Sequence, residues 1–281
     1  MRRFLSVFAG LVGLAGSLLI APAAHADTAT GFPSVNGDWM DPGPYSVSVR
    51  AESVTTFYYP SDITTNPLRH PVIIWGNGTG ATTSVYDGML RHWATEGFIV
   101  AAANTTQSNS GSEMLAGIDR LTTLNADSTS PFYGKVDLTR IGASGHSQGG
   151  AGAINASADP RVDTTVPMAP GPLASSSRLH GPTLFLAGQL DTIVYPSWVY
   201  AFYSAATQVP AEYTMLAGAT HFTEIGSGGN FAGISTAWFR FQLMGDEQAR
   251  SKFFGPNCGI CSGNTWLSTA RNSLALAVPG S

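Results

Sequence analysis

The chain has 281 residues, of which 14 are basic and 18 acidic, and its formal net charge at pH 7 is −4. The basic residues form no cluster and do not alternate with aromatic residues, which excludes the usual pattern of a nucleic-acid-binding protein. The length is sufficient for one large domain with a substantial core.

Residues 1–26 have the features of a secretory signal peptide. Two arginines are followed by an apolar run from Phe4 to Ile20, and Ala24-His25-Ala26 is a small-x-small cleavage site. A retained membrane anchor is the alternative, but glycines and serines interrupt the run, and no later segment is apolar enough to span a bilayer. We therefore expect a secreted protein whose mature part, residues 27–281, is a single domain with a tail from about residue 245.

The hydrophobic pattern of the mature part predicts alternating strands and helices. Two alternating stretches predict antiparallel edge strands, and the continuous apolar runs after them predict strands buried on both faces of a sheet. The predicted strands are Tyr45–Val49, Val54–Tyr59, Pro71–Trp75, Phe98–Ala103, Arg140–Ser144, Val166–Met168, Pro182–Ala187 and Tyr213–Leu216. Apolar residues at helical spacing predict helices over 86–93, 114–121, 198–202 and 231–241. This order predicts an α/β fold with an open, mostly parallel sheet, helices on both faces and no insertion long enough to form a lid.

The pentapeptide Gly145-His146-Ser147-Gln148-Gly149 lies between a predicted buried strand and a predicted helix. In that context the pattern G-x-S-x-G is typical of a nucleophilic serine on a strained turn, with glycines where a Cβ atom would collide with a neighbouring strand or helix. The helix that starts there directs its positive end at the reaction site. An ordinary glycine-rich turn is the alternative, because the chain has 32 glycines. We predict that Ser147 is a nucleophile.

Two residues are candidate partners of this serine. Asp191 and His221 each follow the carboxyl end of a predicted strand, which is where sites form in open parallel sheets. The order serine, aspartate, histidine is also that of the α/β-hydrolases. His146 is expected to line the pocket rather than act as the base, and Asp163 is a weaker candidate acid because it precedes a strand. His221 would then remove the serine proton, and Asp191 would orient the imidazole.

The negative oxygen that forms during acyl transfer needs two hydrogen-bond donors. The backbone N–H of Gln148, directly after the serine, is one candidate. The loop after the first buried strand supplies the other, for which we predict Thr79. Tyr195, Trp198 and Phe222 flank the triad motifs and are expected to line the cleft, with core packing as the alternative.

Cys258 and Cys261 are the two cysteines of the chain. A redox-active dithiol would require a strand-to-helix setting, and a zinc site would require two further ligands. In an exported protein we therefore expect a local disulfide between them.

The set of motifs resembles the bacterial cutinase and polyester-hydrolase group of α/β-hydrolases, which includes the poly(ethylene terephthalate) hydrolases. The resemblance is carried by Gly43-Pro44-Tyr45, Tyr58-Tyr59-Pro60, Glu96-Gly97-Phe98-Ile99-Val100, Gly145-His146-Ser147-Gln148-Gly149-Gly150, Asp191-Thr192-Ile193-Val194-Tyr195-Pro196 and Thr220-His221-Phe222. It implies the α/β-hydrolase fold and the catalytic triad Ser147, Asp191 and His221. It also implies oxyanion donors at Thr79 and Gln148.

Three positions depart from the polyester-active members of this group. Those members usually have an aromatic residue at the position of Thr79, methionine at Gln148 and tryptophan at Gly171, and the three side chains clamp a terephthalate ring. Gly171 is therefore a substrate-binding position at which this chain lacks the expected ring. The resemblance implies ester hydrolysis, but it does not carry over the aromatic polyester specificity.

Together these features predict a secreted serine esterase that acts through an acyl-enzyme on small or polymeric esters. A lipase or short-chain carboxylesterase is the nearest alternative. An amidase, or a non-catalytic binding protein on the same fold, is a more distant one. We expect no cofactor, no metal, no nucleic-acid partner, no membrane association after signal cleavage, and a monomer.

Overall fold

One sheet runs through the part of the chain that the computed structural model describes, which is residues 31–35, 37, 39–256 and 258–279. The predicted signal peptide, residues 1–26, lies outside these residues. The strands, in chain order, are β1 (Val47–Ala51), β2 (Thr55–Pro60), β3 (His70–Gly76), β4 (Ile99–Ala103), β5 (Val136–His146), β6 (Thr164–Met168), β7 (Thr183–Gly188), β8 (Ala211–Leu216) and β9 (Trp266–Arg271).

The spatial order of the strands is β1-β2-β4-β3-β5-β6-β7-β8-β9. The strands from β4 to β8 in this order are parallel, whereas β1, β2 and β9 pair antiparallel with their neighbours. This confirms the predicted mostly parallel sheet. Only β1 is an edge strand at its end of the sheet, because β2 lies between β1 and β4; the sequence analysis had predicted both as edge strands.

Helices cover both faces of the sheet, as predicted. They are α1 (Asp87–Thr95), α2 (Ser112–Ala126), α3 (Gln148–Ala156), α4 (Pro196–Ala205), α5 (Gly229–Phe239), α6 (Glu247–Arg250) and α7 (Ser273–Leu276). A short 3-10 helix, Thr83–Tyr86, precedes α1, and a π-helical turn, Arg240–Met244, continues α5. Among the described residues no helix is both long and apolar enough to cross a membrane.

Alternate residues of the central strands pack into two separate cores. In β3, Ile73 and Trp75 pack with residues of α1 and α5, whereas Val72 and Ile74 pack with residues of α2 on the opposite face. Successive side chains of a strand point to opposite faces, so both faces of a covered strand must be apolar. This is why β3 has a continuous apolar sequence rather than an alternating one.

The segment from Gly245 onward is more ordered than the tail that the sequence predicts. It contains α6, β9 and α7, and β9 pairs antiparallel with β8. The predicted disulfide joins Cys258 and Cys261 in this segment. β9 has neither a continuous apolar run nor a clean alternation, and Ser268 within it has a left-handed φ of 54°. These irregularities explain why the pattern did not reveal the strand.

A buried ion cluster connects the C-terminal segment to the rest of the domain. The guanidinium of Arg240 is fully buried and donates to Oδ2 of Asp246 at 2.7 Å and to Oε2 of Glu96 at 3.0 Å. It also donates to the carbonyl oxygen of Pro33 at 2.8 Å. Because every partner is held in one place, this single side chain joins the end of α1, the start of α6 and the N-terminal arm.

Replacing Arg240 with methionine should therefore destabilise the fold strongly. Arg240→Met leaves Glu96 and Asp246 buried without their cation, which typically costs about 3–5 kcal/mol. Arg91→Met is the matched control, because the Arg91–Asp87 pair is solvent-exposed and should be worth about 0.5 kcal/mol or less. Denaturant unfolding measures both values. A loss in Arg240→Met as small as that in Arg91→Met would contradict the role given to the buried cluster.

Candidate active site

Ser147 occupies a strained turn between β5 and α3. Its φ of 56° and ψ of −119° lie outside the regions that residues with a side chain usually adopt. Two hydrogen bonds hold the turn: the N–H of Ser147 donates to the carbonyl oxygen of Met168 at 3.0 Å, and the N–H of Gly171 donates to that of Ser147 at 2.8 Å. The strain keeps the serine at the carboxyl edge of the sheet, where the chain turns abruptly from strand to helix.

Close packing of α3 on the sheet requires the two glycines of the motif. A Cβ atom on Gly145 would lie 2.2 Å from the carbonyl oxygen of Gly149, and one on Gly149 would lie 1.9 Å from that of Gly76 in β3. Both obstacles are backbone atoms, which cannot move away as the end of a side chain can. Glycine at positions 145 and 149 is therefore a steric requirement of the turn.

The structure brings Ser147, His221 and Asp191 into one line of contacts. Nε2 of His221 lies 3.0 Å from Oγ of Ser147, and Nδ1 lies 2.7 Å from Oδ2 of Asp191. The other carboxylate oxygen of Asp191 accepts the N–H groups of Ile193 and Val194, both at 2.8 Å. His221 and Asp191 are nearly fully buried. This arrangement can deprotonate the serine, because the base is in contact with it and is itself oriented by a fixed carboxylate.

A cavity of about 270 Å³ opens beside the serine. Thr79, His146, His221 and Phe222 are among its lining residues. The ring of Phe222 is 59% exposed, so this wall faces an approaching ligand rather than the protein core.

Tyr195, Trp198 and Gly171, which were also predicted to line the substrate site, are not among the residues that line this cavity. Tyr195 begins the turn into α4, is 48% exposed and packs against the ring of Trp198 with 5.3 Å between the ring centroids. Trp198 and Pro170 line a second groove of about 360 Å³. Gly171 follows Pro170 in the chain, and its N–H donates to the carbonyl oxygen of Ser147.

The predicted oxyanion donors are placed at the edge of the cavity. The N–H of Gly78 donates to the hydroxyl of Tyr86, and that of Gly80 to the carbonyl oxygen of Thr106. The intervening N–H of Thr79 donates to no atom of the described residues. Gln148 is the first residue of α3, so its N–H has no partner within the helix. Both N–H groups can therefore donate a hydrogen bond to a negative oxygen.

The sequence analysis missed two residues behind this site, Tyr86 and Glu224. The hydroxyl of Tyr86 lies 2.9 Å from Nδ1 of His146, and Oε2 of Glu224 lies 3.7 Å from Nε2 of the same ring. The ring of His146 in turn packs against that of His221, with 4.6 Å between the ring centroids. One signal was present in the sequence: apart from histidines, Glu224 is the only ionisable side chain between Tyr213 and Arg240.

Burial controls the protonation of this pair. Burial and, to a smaller extent, the neighbouring His221 lower the pKa of His146 to about 3. Burial raises the pKa of Glu224 well above its usual value, and the negative charge of Asp191 raises it further. At neutral pH both side chains are therefore uncharged. The described residues, including those of this site, contain no group of three or more His, Cys, Asp or Glu side chains arranged to hold a metal ion.

A sequence profile of PET hydrolase-like proteins matches residues 38–271. The chain belongs to the PET hydrolase-like family.

Several relatives of the chain carry names that describe an activity. A bis(hydroxyethyl) terephthalate hydrolase of Streptomyces coelicolor is 29% identical over 231 residues, which are 76% of this chain and 72% of the relative. Cutinase 2 of Thermobifida cellulosilytica is 31% identical over 238 residues, covering 78% of this chain and 87% of the relative. Cutinase est1 of Thermobifida alba is 30% identical over 239 residues, covering 78% of each chain.

A methyl group added at Gly145 should disrupt the turn of this PET hydrolase-like protein. Gly145→Ala places a carbon against a backbone oxygen, and overpacking of this kind typically costs about 1–3 kcal/mol. Gly171→Ala is the matched control, since its Cβ would meet the nearest atoms of Ser147 and Gln148 at an ordinary 3.6 Å and should change stability by about 0.5 kcal/mol or less. Thermal and denaturant unfolding compare the two variants. Equal stability of the two would show that the turn tolerates a larger residue.

Proposed function

We propose that this protein is an exported enzyme that hydrolyses carboxylic esters through an acyl-enzyme on Ser147. The observation that carries the proposal is the line of contacts from Ser147 through His221 to Asp191, at 3.0 and 2.7 Å, on a strained strand-to-helix turn. Members of the PET hydrolase-like family are serine hydrolases of carboxylic esters. The cutinases and the terephthalate ester hydrolase among the relatives support an ester as the substrate.

The first half-reaction transfers the acyl group to the serine. His221 takes the proton of Ser147 as Oγ attacks the ester carbonyl carbon, and Asp191 stabilises the resulting imidazolium. The carbonyl oxygen becomes negative and is held by the N–H groups of Thr79 and Gln148. His221 then gives its proton to the alcohol oxygen as the bond between that oxygen and the acyl carbon breaks.

The second half-reaction releases the acid. His221 takes a proton from water, whose oxygen attacks the acyl carbon of the ester on Ser147. The same two N–H groups hold the second negative oxygen. The bond to Oγ breaks, Oγ recovers a proton from His221, and the carboxylic acid leaves.

The open surroundings of Ser147 support a broad choice of ester. Ser147 lines the cavity beside Phe222, and a second groove begins at Pro170 and Pro172, the neighbours of Gly171, whose N–H is bonded to the carbonyl oxygen of Ser147. A substrate longer than the reacting ester group therefore has open surface beyond the cavity. This suits a segment of an aliphatic polyester as well as a small soluble ester. Export is supported by the signal-peptide pattern and by the disulfide, a bond that persists in oxidising compartments.

The triad assignment is tested by labelling and by substitution. A fluorophosphonate probe should label Ser147 in the purified protein, and Ser147→Ala should abolish the labelling. On p-nitrophenyl butyrate, Ser147→Ala or His221→Ala should lower kcat by about 10⁶, and Asp191→Asn by about 10⁴, because the amide favours the wrong imidazole tautomer. Unchanged hydrolysis by Ser147→Ala would refute the proposed mechanism.

The position of Gly171 is expected to limit activity on aromatic esters. Gly171→Trp should raise the ratio of the rate on bis(hydroxyethyl) terephthalate to that on p-nitrophenyl butyrate by about 2–10-fold, since stacking of two aromatic rings is worth about 0.5–1.5 kcal/mol. Gly171→Leu is the matched control, because it adds apolar surface without a ring. Steady-state kinetics on both esters gives the ratio. An equal gain from leucine would show that apolar area, rather than stacking, is what the wild-type site lacks.

A further inference from the structure

A buried polar cluster lies behind the imidazole of His221 and has no part in the reaction described above. It consists of Tyr86 at the end of the 3-10 helix, His146 at the end of β5, and Glu224 in the loop that also carries His221; we call it the Tyr86–His146–Glu224 cluster. All three side chains are almost completely excluded from solvent, and Glu224 is 0% exposed. A buried polar group normally has a partner, so this cluster requires an explanation.

The contacts of the cluster lead from the loop residue Gly78 through Tyr86 to His146 and Glu224. Tyr86 is bound on one side by the N–H of Gly78 at 3.2 Å and on the other by Nδ1 of His146 at 2.9 Å. Nε2 of His146 and both carboxyl oxygens of Glu224 have no hydrogen-bond partner among the described residues. Only 3.7 Å separates Nε2 from Oε2, so each of these atoms is the nearest available partner for the other.

The surroundings of Glu224 determine its charge. The titratable groups that face it are Asp191, His146, His221 and Tyr86, and within the described part of the chain no lysine or arginine forms an ion pair with it. A carboxylate without a cation in such a place loses several kilocalories of hydration, and the anion of Asp191 adds repulsion. Glu224 is therefore a neutral carboxylic acid at neutral pH, and its raised pKa agrees with this.

One arrangement of protons gives every polar atom of Tyr86 and His146 a partner. The hydroxyl of Tyr86 accepts the N–H of Gly78 and donates its own proton to Nδ1 of His146. The ring then carries its proton on Nε2, which faces Oε2 of Glu224 at 3.7 Å, and an oxygen of an uncharged carboxyl group can accept it.

The cluster contacts both halves of the catalytic machinery. At one end, the ring of His146 packs against that of His221. At the other end, the bond from Gly78 to Tyr86 fixes the residue that precedes the oxyanion donor Thr79. An uncharged His146 also matters for the reaction, because a second cation 4.6 Å from the ring of His221 would oppose formation of the imidazolium.

We propose that Glu224 is a positioning residue: as an uncharged carboxylic acid it accepts the Nε2 proton of His146 and thereby fixes both the ring that supports His221 and, through Tyr86, the oxyanion loop. This inference rests on the proposed ester hydrolysis at Ser147. Glu224 touches neither substrate nor reacting atoms, and its effect passes entirely through His146 and Tyr86.

Substitutions that keep or remove the accepting oxygen separate this role from a simple packing role. Glu224→Gln retains an uncharged carbonyl oxygen in a side chain of similar shape, so kcat at pH 7 should fall by no more than about threefold. Glu224→Ala leaves Nε2 of His146 unpaired in a buried site, and kcat should fall by about tenfold or more. If Glu224 acted as an anion instead, Glu224→Gln would lose as much activity as Glu224→Ala, and that result would overturn the proposal.

The pH profile gives a second readout that packing alone would not change. A carboxyl group whose pKa is raised in the folded protein is protonated below that pKa and ionises as the pH rises through it. The new charge would be buried without a cation against the ring of His146 and would disturb the position of that ring, so wild-type kcat should decline on the alkaline side, and Glu224→Gln should lack this decline. Parallel profiles of the two proteins across the alkaline range would contradict the proposal.

Glu212→Gln is the matched control for a buried carboxyl group. Glu212 lies near the amino end of β8, remote from Ser147, and burial raises its pKa to about 8 while Arg271 acts in the opposite direction. Its oxygens also have no hydrogen-bond partner among the described residues. Glu212→Gln should leave the shape of the kcat profile unchanged; a lost alkaline decline in this variant would overturn the assignment to Glu224.

Two further measurements keep the outcomes distinct. Fluorophosphonate labelling of Ser147 and an unfolding curve for each variant establish that the protein is folded. If wild-type protein neither labels nor hydrolyses esters, the proposed function fails; if it does both and the Glu224 variants behave alike, only this inference fails.

A third measurement tests the proton arrangement. Long-range ¹H–¹⁵N spectra of the histidine rings should show the Nε2–H tautomer for His146 in wild type and in Glu224→Gln. Observation of the Nδ1–H tautomer would overturn the proton arrangement.

Discussion

The approach of α3 to the sheet is the contact on which the rest of the site depends. Carbonyl oxygens of Gly76 and Gly149 occupy the space where side chains at positions 149 and 145 would lie. Because strand, turn and helix are packed backbone to backbone, the residue between them is forced into a left-handed conformation. Ser147 is therefore held at one place with its hydroxyl outward, and the loops after β7 and β8 can bring their side chains to a fixed target.

Two acids near the same imidazole have opposite environments. Asp191 accepts two backbone N–H groups and contacts His221, so its charge is solvated by the protein itself. Glu224 is equally buried, but within the described part of the chain its carboxyl oxygens have no hydrogen-bond partner. A folded chain can thus maintain one anion and one neutral acid near a catalytic ring, because hydrogen bonds rather than residue type decide which form is stable.

Local sequence patterns predicted those features that local chemistry determines. The strands β3 and β4 were evident because coverage on both faces makes them continuously apolar, and Asp191 and His221 were selected because each follows a strand. The role of Glu224 could not be predicted in this way. Its burial depends on α1, β5 and the 3-10 helix meeting behind one loop, which no pattern around position 224 records. Tyr195 shows the reverse case. Its position beside the Asp191 motif predicted that it would line the cavity, whereas in the structure its ring packs against Trp198 outside that cavity.

β9 has a consequence for how the molecule is assembled. Without it, β8 would present a row of unpaired N–H and C=O groups at the rim of the parallel sheet, and such rims pair readily with other chains. The strand that covers this rim begins 50 residues after the end of β8, so β8 is synthesised well before its partner. Newly made molecules therefore remain prone to aggregation until β9 has joined the sheet, and a chain shortened before Trp266 would retain that hazard permanently.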